Sequence, residues 1–475
     1  MALRRLSAIG CLVAATLLLA GCAGSEQTSS AVPESASLAP ADAIVYATLT
    51  TDDESSQWQN AEQVLERIPG ARDGLASAIE SSLSEEGLTW ESDIAPALGP
   101  ELVIVATADL KPVALLQPED DDKLTALLEK GDEEFVKGEV DGWVVLARTQ
   151  ADLTAYEAAL GRGTLADDQE LQAGLEALPE ESLGKVWIDF EAIAGRLDEF
   201  QASLPQDFDF GIEWLSMALA AEDRGMLLAM GMRMPGGGDS RYEPELFAEV
   251  PGDAIAAISF GGTQGTLDRL RGGASLDEIS GEIEKATGVS LDRLVDALSG
   301  EGVMYVRNGN GRVPDVTIAL RPPDADETFA TLDRVARKVA EQLDAQVTTA
   351  TESGVEVSSL EVEDVVVKYG RADSDTVVVT TGNSAFASLT SDGPKLVDSD
   401  GYKRASEDVG LEDLTKGFVY VDVDGLLPLV ESIAGADAVP PDVRKGIEAF
   451  DSFILEASGE GDITTVRGFL RVNDS

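Results

Sequence analysis

The chain repeats itself in order, and that limits what it can fold into more than any other feature. Ala39-Pro40-Ala41-Asp42-Ala43-Ile44 returns as Val250-Pro251-Gly252-Asp253-Ala254-Ile255, with Asp253 standing 211 positions after Asp42. Gly87 to Val105, which leads into an apolar strand, returns as Gly288 to Val306. Leu165-Ala166-Asp167 returns as Leu396-Val397-Asp398, and Val186-Trp187-Ile188-Asp189-Phe190 as Val419-Tyr420-Val421-Asp422-Val423. Leu215 to Met234 and Phe453 to Val472 both read as closing hairpins. Echoes kept in one order, with only the spacing drifting, predict a duplicated domain. Each copy must then fit in about 200 residues, an ordinary domain size.

Local signals give the type of domain. Asp324 with Glu327 forms a capping box, followed by Phe329, Leu332, Val335, Ala336, Val339 and Leu343 on one predicted helical face. Asn308-Gly309-Asn310-Gly311 separates Val303 to Arg307 from Val313 to Leu320, a hairpin signal because these residues tolerate positive φ. Valine-rich runs at Val355 to Val357, Val365 to Val367 and Val377 to Val379 add strands to the second copy. Only Glu134 to Val136 and Val140 to Leu146 answer them in the first. The expected class is α+β: two related domains, each a largely antiparallel sheet packed with helices. Pro235 to Pro244, with three consecutive glycines, is the expected linker. The domains are then 38–234 and 245–475.

The N-terminus supplies an address. Arg4 and Arg5 precede an apolar run from Cys11 to Ala20, half the roughly 20 residues a spanning helix needs. Leu19-Ala20-Gly21-Cys22 has the form of a bacterial lipobox. Residues 1–21 are therefore expected to be a cleaved signal, with Cys22 the lipid-bearing first residue of the mature chain. Residues 22–37, rich in Ser, Ala, Glu and Pro without apolar period, read as a flexible spacer. The expected location is the outer face of the bacterial cytoplasmic membrane, or an outer membrane where the host has one.

Composition removes several function classes. The chain carries 88 acidic against 35 basic side chains, a formal charge of −53, which disfavours nucleic acid and electrostatic docking on anionic lipid. There is no histidine, and the two cysteines, Cys11 and Cys22, are lost with the signal or taken by lipid. The commonest general base, thiol chemistry and disulfides are thereby absent. No phosphate loop precedes Gly184-Lys185, and no serine elbow or third glycine in register occurs. No cofactor is expected.

The lipobox, the spacer, the Leu-Ala-Pro-Ala-Asp-Ala entry at 38–43, Gln57-Trp58-Gln59-Asn60-Ala61 and the Leu-Ala-Asp-Asp segment at 165–168 together resemble an uncharacterised bacterial lipoprotein family defined by a domain of unknown function. The resemblance spans nearly the whole mature chain. It implies a location and an architecture, and carries over no catalytic residue.

Carboxylates are the chemistry left. Asp189 and Asp422 end equivalent apolar strands, each followed two residues later by another acid, Glu191 or Asp424. An acid pair can run acid-base chemistry or hold calcium, while the structural reading is a strand-end acid followed by a helix cap at Asp424. The run Glu119 to Asp122 and the segment Asp398-Ser399-Asp400-Gly401 lack the spacing of a calcium loop and read as helix starts. Trp58, Trp90, Trp143, Trp187 and Trp214 all lie in the first copy, where they either fill a core or line a pocket. The expected function is a membrane-tethered, non-catalytic binding or assembly protein of the envelope, with an envelope partner or ligand of unknown identity. The alternatives are a carrier of lipid or another apolar ligand, and a carboxylate-based enzyme.

Overall fold

The computed structural model describes residues 32–84, 87–107, 111–131, 134–194, 211–235, 241–261, 280–281, 284–285, 287–297, 299–309, 313–362, 365–389, 393–435 and 439–473. Cys22, most of the spacer and Gly236 to Gly238 lie outside these residues. The chain forms two compact units, 1–235 with 463–475, and 236–462. Both are α+β and built on antiparallel strands, numbered β1 to β18 along the chain.

In the first unit these are β1 (Ala43–Thr50), β2 (Glu101–Thr107), β3 (Pro112–Leu116), β4 (Val136–Val140), β5 (Trp143–Ala147), β6 (Gly184–Asp189), β7 (Trp214–Glu222) and β8 (Gly225–Arg233). The second unit supplies β9 (Ala254–Phe260), β10 (Glu301–Arg307), β11 (Asp315–Arg321), β12 (Val347–Glu352), β13 (Val355–Val362), β14 (Val365–Arg371), β15 (Val377–Thr380), β16 (Gly417–Asp422) and β17 (Phe450–Ser458). The last strand, β18 (Ile463–Val472), returns to the first unit.

The first sheet runs β4-β5-β3-β2-β1-β6-β7-β8-β18. The second runs β12-β13-β14-β15-β11-β10-β9-β16-β17. Alternate residues of the first sheet, among them Tyr46, Val103, Val105, Val113, Leu115, Val145, Trp187 and Trp214, bury one face against Leu153, Leu171 and Leu175. Those three come from the helices Gln150–Leu160 and Gln169–Glu176. The opposite face packs Leu102, Leu116 and Leu146 against Leu124 of the helix Asp121–Lys130. A sheet covered on both sides explains why β2 alternates poorly and reads as a nearly continuous apolar run.

Each first strand is entered through the same stitch. The N–H of Leu165 donates to the Ala39 carbonyl at 2.8 Å, and that of Leu396 to the Val250 carbonyl at 2.8 Å. The N–H of Ala41 donates to Gly163 at 3.0 Å, and that of Gly252 to Pro394 at 2.8 Å.

Several expectations shift. The final strand, expected within 245–475, pairs with β8 from Gly225 opposite Arg471 to Arg233 opposite Ile463. Sequence marks a strand by its apolar pattern but not which open edge it joins. The spacer expected over 22–37 ends sooner, because Glu34–Leu38 forms a 3-10 turn that buries Ser35, Ala36 and Leu38, with Ser35 Oγ 2.8 Å from Tyr46 Oη. Asp324 caps the helix Ala325–Gln342 by accepting from the Glu327 N–H at 2.8 Å, as the capping box predicts. Leu343, expected on that helix's buried face, is its C-cap and 53% exposed.

Candidate functional site

The strand-end acids are spent on caps. Asp189 accepts from the Ala192 N–H at 2.7 Å and Asp422 from the Gly425 N–H at 3.1 Å, opening the helices Phe190–Ala194 and Val423–Ala434. The N-cap of the second is thus Asp422 itself, two residues before the Asp424 that sequence favoured, while Glu191 and Asp424 occupy first turns. Burial raises the pKa of both capping acids, opposed by the backbone N–H groups they accept from. The acidic runs do likewise. Asp120 accepts from the N–H groups of Asp122 and Lys123 at 3.0 and 3.2 Å, and Ser399 from that of Tyr402 at 3.2 Å. Among the described residues no cluster of three or more Asp or Glu is placed to hold a metal ion. Trp143, Trp187 and Trp214 fill the first unit's core, and Trp58 donates to the Thr50 carbonyl at 2.7 Å.

One groove in the second unit is lined by several carboxylates. This groove, of about 450 Å³, is lined by Glu243, Pro244, Glu245 and Ala248 on one side, Leu411, Glu412 and Asp413 on the other, and Tyr402 and Ser406. Tyr402 is its aromatic lining residue, and other rings pack behind it. The Tyr402 ring lies 5.0 Å from Phe247 and packs edge-on to Tyr420 at 5.4 Å, while Phe247 stands edge-on to Phe418 at 4.6 Å. Such rings fix one another's orientation and hold Tyr402 still. Its burial raises its hydroxyl pKa, helped by Glu456 and Tyr242, so it lines the groove as a neutral phenol.

The two walls are stitched together. Tyr242 N–H donates to the Thr415 carbonyl at 2.9 Å and Thr415 N–H to the Tyr242 carbonyl at 3.1 Å. Tyr242 Oη sits 2.8 Å from Ser259 Oγ on β9. The Leu246 N–H donates to Glu301, and Arg321 bridges Glu245 at 2.6 Å and Glu301 at 3.1 Å. On the far side Gly410 ends the helix Asp400–Val409 in the left-handed region at φ 64°, turning the chain into Leu411 and Glu412. The Glu412 N–H then donates to the buried Glu456 carboxylate at 3.3 Å. The groove is thus lined by four carboxylates, of which Glu245 is already paired with Arg321, together with Tyr402, Pro244, Ala248 and Leu411, and its walls are tied to the sheet. It suits a cation with an apolar stem, since the stem is desolvated and the charge meets acids at the mouth.

Sequence missed this site. Glu243 and Pro244 fall within the expected linker, and Tyr242 gives no sign there that it bridges to Thr415. Sequence also passed over Lys185, known only as a glycine-lysine pair without a phosphate loop. Lys185 lies on β6, 7% exposed, and donates to the Glu180 carbonyl at 2.7 Å. Burial lowers its pKa to about 8, against the pull of Glu180 and Glu101. Glu101 in turn is raised by burial.

No family model matches the sequence. No curated protein matches it either. Solved structures of TP0453 do match: crystal forms III, IV and I at TM-scores of 0.24, 0.23 and 0.23, with 9%, 8% and 10% identity. They cover 43%, 42% and 45% of this chain and 81%, 79% and 82% of that one. A likeness of that degree assigns no site and no ligand. No helix among the described residues is long and apolar enough to cross a membrane.

Proposed function

We propose that this chain is an extracytoplasmic lipoprotein of the resembled family, tethered through lipid on Cys22, that binds a cationic envelope partner non-catalytically at the carboxylate-rimmed groove. One observation carries the binding reading. The acids that sequence offered as a catalytic pair are occupied as helix caps, while Glu243, Glu412 and Asp413, with Glu245 paired to Arg321, line a groove beside Tyr402. A rim of one sign steers an oppositely charged partner, and a rigid floor spares the ordering cost of binding.

The two units also support the reading of an internal duplication. One displacement per strand carries the β1–β2, β1–β6, β2–β3 and β6–β7 ladders of the first sheet onto ladders of the second. Tyr46 opposite Trp187 becomes Ala257 opposite Tyr420, and Tyr46 opposite Val105 becomes Ala257 opposite Tyr305. Leu102 opposite Leu116 becomes Gly302 opposite Leu320, and Gly184 opposite Leu219 becomes Gly417 opposite Ala457. A slip of one residue would turn every side chain to the wrong face, so shared register across successive ladders is a demanding match. An alignment of relatives tests it: a profile of residues 38–234 should detect 245–475, and failure to do so counts against common ancestry.

The groove is tested with tetralysine as a probe, by calorimetry at low salt. Glu243→Gln with Glu412→Gln is compared with Asp73→Asn and Glu80→Gln, which remove the same charge from an exposed helix. We expect about tenfold weaker binding from the groove pair, with each rim acid worth up to about 1 kcal/mol, and under about twofold from the control. Equal losses would mean that only net charge attracts cations.

A further inference from the structure

We propose that β12, the terminal strand of the second unit's sheet, is the docking edge for a second copy of this chain, with the two β12 strands pairing antiparallel. Among the described residues β12 pairs only with β13, and Thr348, Thr349, Ala350 and Thr351 are exposed on both faces. Ser353 and Gly354 have φ of 51° and 83°, the signature of a two-residue type I′ turn, so Glu352 and Val355 close the hairpin as a hydrogen-bonded pair. Antiparallel alternation then commits the backbone groups of 348, 350 and 352 to β13 and points those of Val347, Thr349 and Thr351 outward.

Proteins blunt such an edge with lysine, proline or a bulge. The first unit's terminal strand β4 does so with Lys137 and Glu139, whereas β12 holds an unbroken register with β13 and contains neither lysine nor proline. Charge leaves this edge open to a second copy. Two molecules of formal charge −53 repel wherever they meet. The sole ionisable residue of β12, Glu352, is held by Lys368 Nζ at 2.7 and 3.0 Å, so the strand itself carries no net charge, and the exposed Glu356 opposite Thr351 lies one strand further in. It is also self-complementary. A two-fold axis normal to the sheet must bring side chains of the same face together, so with Ala350 on the axis Thr349 meets Thr351 of the second copy. Glu352 then meets Thr348 rather than its own counterpart. Threonine pairs are favourable across strands, and no like charges oppose.

The test uses the full chain with Cys11→Ser and Cys22→Ser, which leaves no thiol, and adds Ala350→Cys. Residue 350 would face its copy as a non-hydrogen-bonded pair, about 4.5 Å between Cα atoms and within disulfide reach. Mild oxidation should give a disulfide-linked dimer. Ser82→Cys on an exposed helix should give about tenfold less, and so should Thr349→Pro placed in the Ala350→Cys chain, because it removes an outward N–H without touching β13. Thr349→Lys should act like the proline while leaving the backbone unaltered. Dimer no more abundant than from Ser82→Cys, a dimer indifferent to both Thr349 changes, or a cross-link to a different protein would each overturn the proposal.

Discussion

Lys185 gives the sharpest energetic prediction. Its ammonium is buried on β6 and its pKa falls from an ordinary value near 10.5 to about 8, chiefly by desolvation. Between those values the unfolded chain holds a proton that the native chain has released, so stability is gained as pH rises through 8 and lost as pH falls through it. At about 1.4 kcal/mol per pH unit per proton, the first unit should gain about 2 kcal/mol between pH 8 and 9.5. The window is clean. The chain has no histidine, and the tyrosines that burial shifts, Tyr46 and Tyr156 among them, move upward and act above it. All five tryptophans lie in the first unit, so urea unfolding followed by tryptophan fluorescence reads that unit alone. Lys185→Met should abolish the rise and be more stable than the parent at pH 7. A parent whose stability is flat or falling from pH 8 to 9.5, or a methionine variant with the same slope, would show that Lys185 is not buried as an ammonium with a lowered pKa.

Asp422→Ala should cost about 1 kcal/mol by urea unfolding, while Asp422→Asn, which still caps and carries no buried charge, should cost less than half of that; equal losses would contradict the capping role. Burial raises Asp189, Asp422, Glu101 and Glu301, so the native chain takes up protons before the unfolded one does, and stability should rise as pH falls from 7 towards about 5. Thermal unfolding midpoints across that range check the sign, and a monotonic fall would contradict it.

Strand periodicity and capping residues are legible because each is local. The Asp324 cap and the pairing of β10 with β11 followed from residue types alone. Sequence puts the cap at Asp424, two residues past the Asp422 that fills it, because a strand end and a helix start share the same few acids. The groove was not legible, since its walls are held by Tyr242 reaching Thr415 and Arg321 reaching Glu245, contacts set by how distant segments pack. The partner of β18 was hidden for a related reason: an apolar pattern says that a strand is buried and leaves open which edge it completes. β12 escaped because Val-Thr-Thr-Ala-Thr-Glu has strand-forming residues but no buried face, and therefore no alternation to read.

The proposed lipid tether is tested by the Cys22→Ser protein, expressed at native level and fractionated with a high-salt wash. Lipid is the anchor in this account and the formal charge of −53 gives no electrostatic hold on anionic lipid. The parent should therefore stay with membranes while the serine variant moves to the soluble fraction, with loss of the diacylglyceryl mass from its N-terminal peptide. A serine variant that remained in the washed membranes, or a parent whose Cys22 carried no lipid, would mean that something other than lipid on Cys22 holds the protein.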